Sequence, residues 1–90
     1  MKREVSHTSR FFYITLEDKE KAFLKYSING KTMILESTYT PEKYRAMGFA
    51  EEITKKAIEY AQEKKLKIKP ACSYATNFFQ RHPEYKELLE

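Results

Sequence analysis

The segment Arg45-Ala46-Met47-Gly48-Phe49-Ala50 decides how this chain folds, because the sequence changes its character there. An apolar run rich in β-branched residues ends at Pro41 before it, and a long charged segment, residues 51–65, follows it. This order predicts a strand, a glycine-containing loop and then a helix. A loop that opens onto a helix presents unpaired backbone N–H groups and the positive end of the helix dipole, which suit a phosphate. A glycine in such a turn also serves as a plain turn device, so the spacing alone leaves both interpretations open.

Three strands are predicted before the loop. Residues 10–17 alternate, with Phe12, Ile14 and Leu16 on one face, and residues 22–28 alternate in the same way. The pair Asn29-Gly30 then predicts a hairpin with a type I′ turn, which needs positive φ at both positions. The three strands therefore form an antiparallel meander.

The third predicted strand, residues 31–39, places Met33, Leu35 and Tyr39 on one face and Glu36 on the opposite face. Residues 1–9 have no clear period and are expected to be a loose lead-in.

After the loop the pattern predicts a helix over residues 51–65, with ion pairs Glu51–Lys55 and Glu52–Lys56 on its surface. Residues 66–69 form a short strand parallel to the third, because the helix provides the crossover. A second helix is predicted over residues 73–81 and a last turn over residues 84–89. The expected fold is α/β (α+β) in the order β-β-β-α-β-α, as one domain over residues 1–90.

Composition sets limits on function. The chain has 90 residues, a net charge of +4 and a single cysteine, so an internal disulfide framework or a cysteine-rich zinc site is excluded. No apolar run approaches the ~20 residues that span a bilayer, and the cytoplasm is the default expectation. The positive charge favours anionic partners such as a polyphosphate cofactor or nucleic acid. We expect a monomer or weak homodimer.

The motifs also carry a resemblance. The loop has the form Arg-x-x-Gly-x-Ala, and downstream stand Pro70-Ala71-Cys72-Ser73-Tyr74-Ala75 and His82-Pro83-Glu84-Tyr85. In that order they resemble the small single-domain branch of the GNAT N-acetyltransferase superfamily, over nearly the whole chain. The resemblance implies a minimal GNAT-like fold, acetyl-CoA or coenzyme A as cofactor, and acetyl transfer to an amine acceptor of unknown identity.

The resemblance further implies that the loop, residues 45–50, holds the pyrophosphate of coenzyme A, with Arg45 and Lys43 adding positive charge. Ala46 departs from the family, which usually has glycine there. The other implied cofactor contacts are Thr38, Tyr39, Thr40, Cys72, Asn77 and Phe78.

Three side chains are candidates for catalysis. Cys72 lies near the start of the second helix, where a thiolate is favoured, so it is a candidate nucleophile, a pocket wall or a small core residue. Glu36 is a candidate base for the amine, or a solvated strand residue. The hydroxyl of Tyr74 is a candidate acid for the leaving thiolate, although the ring also fits the core.

No metal site is expected, because two distant histidines and one cysteine do not make one. Two rival functions remain beside acetyl transfer. One is a coenzyme A-binding module without turnover. The other is a basic nucleic-acid-binding domain, which is disfavoured because the chain lacks RNP-like and zinc-knuckle patterns. The basic stretch that extends from the first helix to Lys69 is either a solvated face or a docking surface for an anionic partner.

Overall fold

The computed structural model describes residues 3–90, which form one mixed sheet with both α-helices on it. The strands are β1 (Ser6–His7), β2 (Phe11–Thr15), β3 (Lys21–Asn29), β4 (Thr32–Tyr39) and β5 (Lys67–Pro70). The helices are α1 (Phe49–Glu63) and α2 (Ser73–Arg81), with short 3₁₀ helices at Glu42–Tyr44 and Pro83–Leu88. The predicted fold class is confirmed.

The sheet runs in chain order, β1-β2-β3-β4-β5, and only the β4–β5 pair is parallel. Both the antiparallel meander and the parallel fourth predicted strand are therefore confirmed. The lead-in prediction is wrong at Ser6–His7, which pairs with Phe12 and Tyr13 as an edge strand. Two residues are too few for a recognisable alternation, so pattern analysis gave no signal there. Residues 1–2 of the predicted lead-in lie outside the described range.

The β3–β4 hairpin forms, but its turn differs from the prediction. Asn29 pairs with Thr32, so the two central residues are Gly30 and Lys31. Gly30 has φ of +62°, whereas neither Asn29 nor Lys31 has positive φ. Positive φ at the first central position alone is the type II′ pattern, for which glycine is preferred there.

A β-bulge changes which side chains of β4 face the core. Lys25 pairs with Ser37 and Tyr26 pairs with Leu35, so Glu36 is the extra residue. An extra residue reverses the alternation beyond it. Met33 and Leu35 are fully buried as predicted, but Tyr39 is 45% exposed and lies on the opposite face, so its predicted position is wrong.

One hydrophobic core holds the molecule together. It lies between the inner face of the sheet and the two helices, and its largest members include Phe49, Phe78, Ile14, Leu24 and Ile58. Within the described residues no helix is long and apolar enough to cross a membrane.

Candidate functional site

The loop that opens α1 bends back on itself through two left-handed residues. Ala46 has φ of +64° and Gly48 has φ of +84°, while α1 begins at the next residue, Phe49. Gly48 adopts this conformation without strain, and it leaves the loop surface open because it has no side chain. Ala46 is strained, since the left-handed region brings Cβ close to the backbone. The position where the resemblance anticipated glycine is thus one whose geometry favours glycine.

The amides of residues 46–51 are available to a ligand. Within the described chain none of them donates a hydrogen bond, and no side chain caps the start of α1. The first intrahelical bond at this end is donated by the Glu52 amide to the Gly48 carbonyl oxygen, at 3.1 Å. Unpaired N–H groups at a helix start carry the positive end of the helix dipole and bind anions.

An open cleft of about 480 Å³ lies beside these amides. It is bounded by the end of β4, the loop, the first turn of α1 and one face of α2. The lining residues are Thr38, Tyr39, Thr40, Tyr44, Arg45, Ala46, Gly48, Phe49, Ala50, Glu51, Tyr74 and Arg81. The fold therefore brings together most of the predicted cofactor residues with one candidate catalytic side chain, Tyr74.

The two basic residues of the loop region behave differently. Arg45 lines the cleft, where its Nε donates to the carbonyl oxygen of Thr40 at 3.0 Å and so holds the charge near the loop. The Lys43 ammonium instead pairs with the Asp18 carboxylate at 2.8 Å, and this contact lowers the pKa of Asp18. Arg45 is therefore the better placed of the two to meet an anion in the cleft.

Tyr74 lies in the first turn of α2 and is half-buried. Burial raises the pKa of its hydroxyl above the usual 10, and the nearby Arg81 guanidinium opposes that shift. The hydroxyl therefore keeps its proton at neutral pH and is able to donate it.

Five predicted site residues do not line the cleft: Glu36, Met47, Cys72, Asn77 and Phe78. Their predicted roles remain predictions. Among the described residues, no cluster of His, Cys, Asp and Glu side chains is arranged to hold a metal ion.

Cys72 caps α2, because its sulfur accepts a hydrogen bond from the Ala75 amide at 3.4 Å. Glu36 lies on the outer face of the sheet, where its Oε2 accepts from the Ser27 hydroxyl at 2.6 Å. Both side chains thus have local structural partners.

The other three residues differ in exposure. Met47 is 50% exposed at the tip of the loop, and Asn77 is exposed on α2. Phe78 is fully buried, with its ring stacked on His82 at 4.2 Å between centroids.

Sequence reasoning missed Tyr44, Glu51, Arg81 and Arg3. Arg81 follows Tyr74 by two helical turns on the same side of α2, so helical spacing was a usable signal for it. Arg3 gave no local signal, because it contacts a loop 44 residues away.

Arg3 holds the outer side of the loop. Its guanidinium donates to the carbonyl oxygen of Met47, lies 4.1 Å from the centre of the Phe49 ring, and pairs with the Glu52 carboxylate at 3.4 Å. The predicted ion pair Glu52–Lys56 does not form, since Glu52 pairs with Arg3 and Lys56 with Glu59, whereas Glu51–Lys55 does form. Arg3 therefore restrains the loop and the first turn of α1, and it is not among the residues that line the cleft.

Comparison with known proteins places this chain in a family. The sequence profile of the family described as GCN5-related N-acetyl-transferase matches residues 11–88. Protein NATD1 of Danio rerio is 37% identical over 73 residues, covering 78% of this chain and 66% of the relative. Protein NATD1 of Homo sapiens is 31% identical over 74 residues, covering 79% of this chain and 66% of the relative. The aligned part thus spans just under two thirds of the length of these relatives.

A solved structure agrees with this assignment. The NMR structure of a GCN5-like protein from Staphylococcus aureus superposes with a TM-score of 0.74, over 97% of this chain and 87% of the other, at 22% sequence identity. This likeness shows the shared fold. Together with the profile match over most of the sequence, it means that the chain belongs to the GCN5-related N-acetyltransferase family.

Proposed function

We propose that this protein binds acetyl-CoA in the cleft beside α1 and transfers the acetyl group to an amine acceptor. The observation that carries the proposal is the run of unpaired amides at residues 46–51, because all of these residues except Met47 line a cleft of about 480 Å³. Anionic ligands suit such amides, and the family generally uses acetyl-CoA. Bound acetyl-CoA would supply an acyl group activated as a thioester.

The loop amides hold the pyrophosphate, and Arg45 and Arg81 add positive charge at the rim of the cleft. Thr38, Tyr39 and Thr40, at the end of β4, form the wall along which the rest of the cofactor lies. Arg3 keeps the loop in place through its contacts with Met47, Phe49 and Glu52, and it does not line the cleft itself.

Tyr74 is the proposed general acid. Its hydroxyl lines the cleft and keeps its proton at neutral pH because burial raises its pKa. It donates that proton to the thiolate that departs when the amine attacks the carbonyl carbon directly. Glu36 is the proposed base that takes the proton from the amine, and Cys72 contributes by capping α2 rather than by forming a covalent intermediate.

Calorimetry with coenzyme A and acetyl-CoA, combined with amide NMR, tests binding. We expect chemical-shift changes centred on residues 46–51 and an affinity that falls as salt rises, because a polyphosphate meets a positive loop. Binding without shifts in the loop would place the ligand elsewhere and contradict the proposal.

Mass spectrometry then tests turnover. Protein, acetyl-CoA and a mixture of primary amines should yield acetylated amine and free coenzyme A, and heat-denatured protein serves as the control. Tight binding with no product from any amine would favour the rival function, a coenzyme A-binding module without turnover.

A further inference from the structure

The outer face of the sheet carries a row of aromatic side chains. Because the strand registers pair Tyr13 with Phe23 and Phe23 with Tyr39, these three side chains stand side by side across β2, β3 and β4. Phe11 lies next to the row, with its ring 5.4 Å from that of Phe23, and the Phe23 and Tyr39 rings are 5.6 Å apart. We call the three cross-strand residues Tyr13, Phe23 and Tyr39 the aromatic row.

The row lies outside the hydrophobic core. None of its members belongs to the buried cluster or to the partly buried side chains packed against that cluster. Beside it lies an apolar hollow of about 320 Å³, lined by Thr8, Phe11, Tyr13, Lys21 and Phe23. Tyr39 is exposed, whereas Phe11, Tyr13 and Phe23 are partly exposed. An apolar surface that remains accessible to solvent and is rimmed by polar residues is typical of an interaction site.

The charges that flank Phe23 along β3 are positive, and the carboxylate of Glu36 on the same face is hydrogen-bonded to Ser27. Lys21 and Lys25 stand on either side of Phe23 along β3, and the Lys21 ammonium lies 5.7 Å from the centre of the Tyr13 ring. Both lysines are exposed, and within the described residues neither forms an ion pair. An acidic partner complements this surface, whereas a second copy of the chain would bring the same lysines face to face.

The row also reaches the cleft. Tyr39 is the last member of the row and at the same time lines the cleft at the end of β4. Glu36, the proposed base, lies on the same outer face, because it accepts a hydrogen bond from Ser27 there. A partner bound along the row therefore places one end beside the reacting groups.

We infer that the outer sheet face is the docking surface for the acceptor, and that the acceptor is an acidic polypeptide segment with apolar side chains and a free amine at one end. This inference rests on the proposed acetyl transfer. Aromatic rings with flanking lysines also suit single-stranded nucleic acid. Continuity with the cleft favours a polypeptide, because a polypeptide carries the basic amine that acetyl transfer requires.

Two synthetic peptides with free N-termini test the inference. One alternates phenylalanine with aspartate, and the other is identical except that arginine replaces each aspartate, so that the N-terminus is the acceptor amine in both. We expect the acidic peptide to shift the amides of Tyr13, Phe23 and Tyr39, and to be acetylated with a kcat/KM about 10-fold above that of the basic peptide, the scale of one lost interface contact. Equal acetylation of both peptides without shifts at the row would overturn the inference.

Matched variants separate the surface from the fold. Phe23→Thr keeps a strand-forming residue, and Lys21→Glu with Lys25→Glu reverses the charge; each should raise the KM for the acidic peptide about 10-fold and leave the KM for acetyl-CoA unchanged. Lys64→Glu with Lys86→Glu makes the same charge change away from the row and is the control. An equal loss in the control pair would mean that net charge alone is responsible, against the inference.

Two further measurements distinguish this inference from the proposed function. If calorimetry detects no coenzyme A binding while the acidic peptide shifts the row, the docking surface stands and acetyl transfer falls. If a single-stranded oligonucleotide shifts the same amides at lower concentration than the acidic peptide, nucleic acid is the partner and the inference is overturned.

Discussion

The two helices of this chain begin in opposite ways. α1 starts after Gly48 with no side chain bonded to its first amides, whereas α2 starts at Cys72, whose sulfur accepts from the Ala75 amide. A capped start has already used part of its donor capacity, while an open start keeps its amides for a ligand. The start of α1 therefore provides unpaired backbone amides beside the cleft, whereas α2 provides a side chain, that of Tyr74.

The largest effect should come from the side chain at the start of α2. Replacing Tyr74 with Phe removes the proposed proton donor, so we expect turnover to fall about 100-fold, at the low end for general acid catalysis. The dissociation constant for acetyl-CoA should stay nearly the same. Turnover and calorimetry on the same samples measure the two quantities.

The dependence of turnover on pH gives a second test of Tyr74 as the proton donor. Because burial raises the pKa of Tyr74 above 10, the donor is protonated throughout the neutral range and is lost only as pH rises through that raised pKa. Wild-type turnover should therefore fall at the alkaline end, and Tyr74→Phe should lack that alkaline decline. An unchanged rate in the variant would leave α2 with no catalytic side chain in the cleft.

The open start of α1 is tested by a charge at Gly48. Gly48→Asp places a carboxylate where the pyrophosphate is proposed to bind and should cost at least about 2 kcal/mol, roughly 30-fold in acetyl-CoA affinity. Gly48→Asn is the matched control, because Asn and Asp have the same shape and both tolerate left-handed φ. The ratio of the two dissociation constants isolates the charge. Equal affinities would mean that no phosphate lies at this helix start.

Cys72 tests the capped start. Cys72→Ala removes the cap and should lower the free energy of unfolding by about 1 kcal/mol, while Cys72→Ser should retain most of it, because serine is a preferred cap. Urea unfolding measures both. Direct attack by the amine further predicts that both variants keep much of the wild-type turnover.

A covalent route would give a different result. Protein mixed with acetyl-CoA and no acceptor would then carry an acetyl group on the Cys72 sulfur, with coenzyme A leaving as the thiol. An acetylated Cys72 that passes its group to an added amine at the turnover rate would overturn direct transfer. Cys72 would then be a nucleophile as well as a cap.

Local patterns were sufficient to predict most of the fold. The 3.6-residue spacing gave α2 the bounds that the structure has, and the helix–strand order gave the parallel β4–β5 pair. The prediction failed where one residue breaks the alternation, because the bulge at Glu36 moves Tyr39 to the outer face. The aromatic row was missed for that reason.

The site was predictable only in part. The loop and its glycine were found because a helix start and left-handed φ have local sequence signals. Arg3 was not found, because its contact with Met47 joins segments that only the folded sheet and helix bring together. The ion pair of Lys43 with Asp18 had no local sequence signal for the same reason.

The smallest expected effect is a change in the free energy of unfolding at Ala46, which precedes Gly48 in the loop and also has positive φ. Its φ of +64° costs an alanine about 1–2 kcal/mol, whereas a glycine pays little there. Glycine also gives the unfolded chain more freedom, which offsets about 0.4–1 kcal/mol of that gain. We therefore expect Ala46→Gly to raise the free energy of unfolding by about 0.5 kcal/mol, as measured by urea unfolding.

Ala50→Gly is the matched control, because Ala50 lies in the first turn of α1 and the same change there should lower the free energy of unfolding, by less than the ~1 kcal/mol typical of a helix interior. Opposite signs for the two variants would show that the backbone conformation, and not the loss of a methyl group, decides the result. If Ala46→Gly also stabilises without weakening acetyl-CoA binding, the loop tolerates the glycine that the resemblance anticipated at this position. If it stabilises the fold but weakens binding, the alanine holds the amides of residues 46–51 in the conformation that the ligand needs. A destabilised Ala46→Gly variant would contradict the left-handed geometry of the open helix start itself.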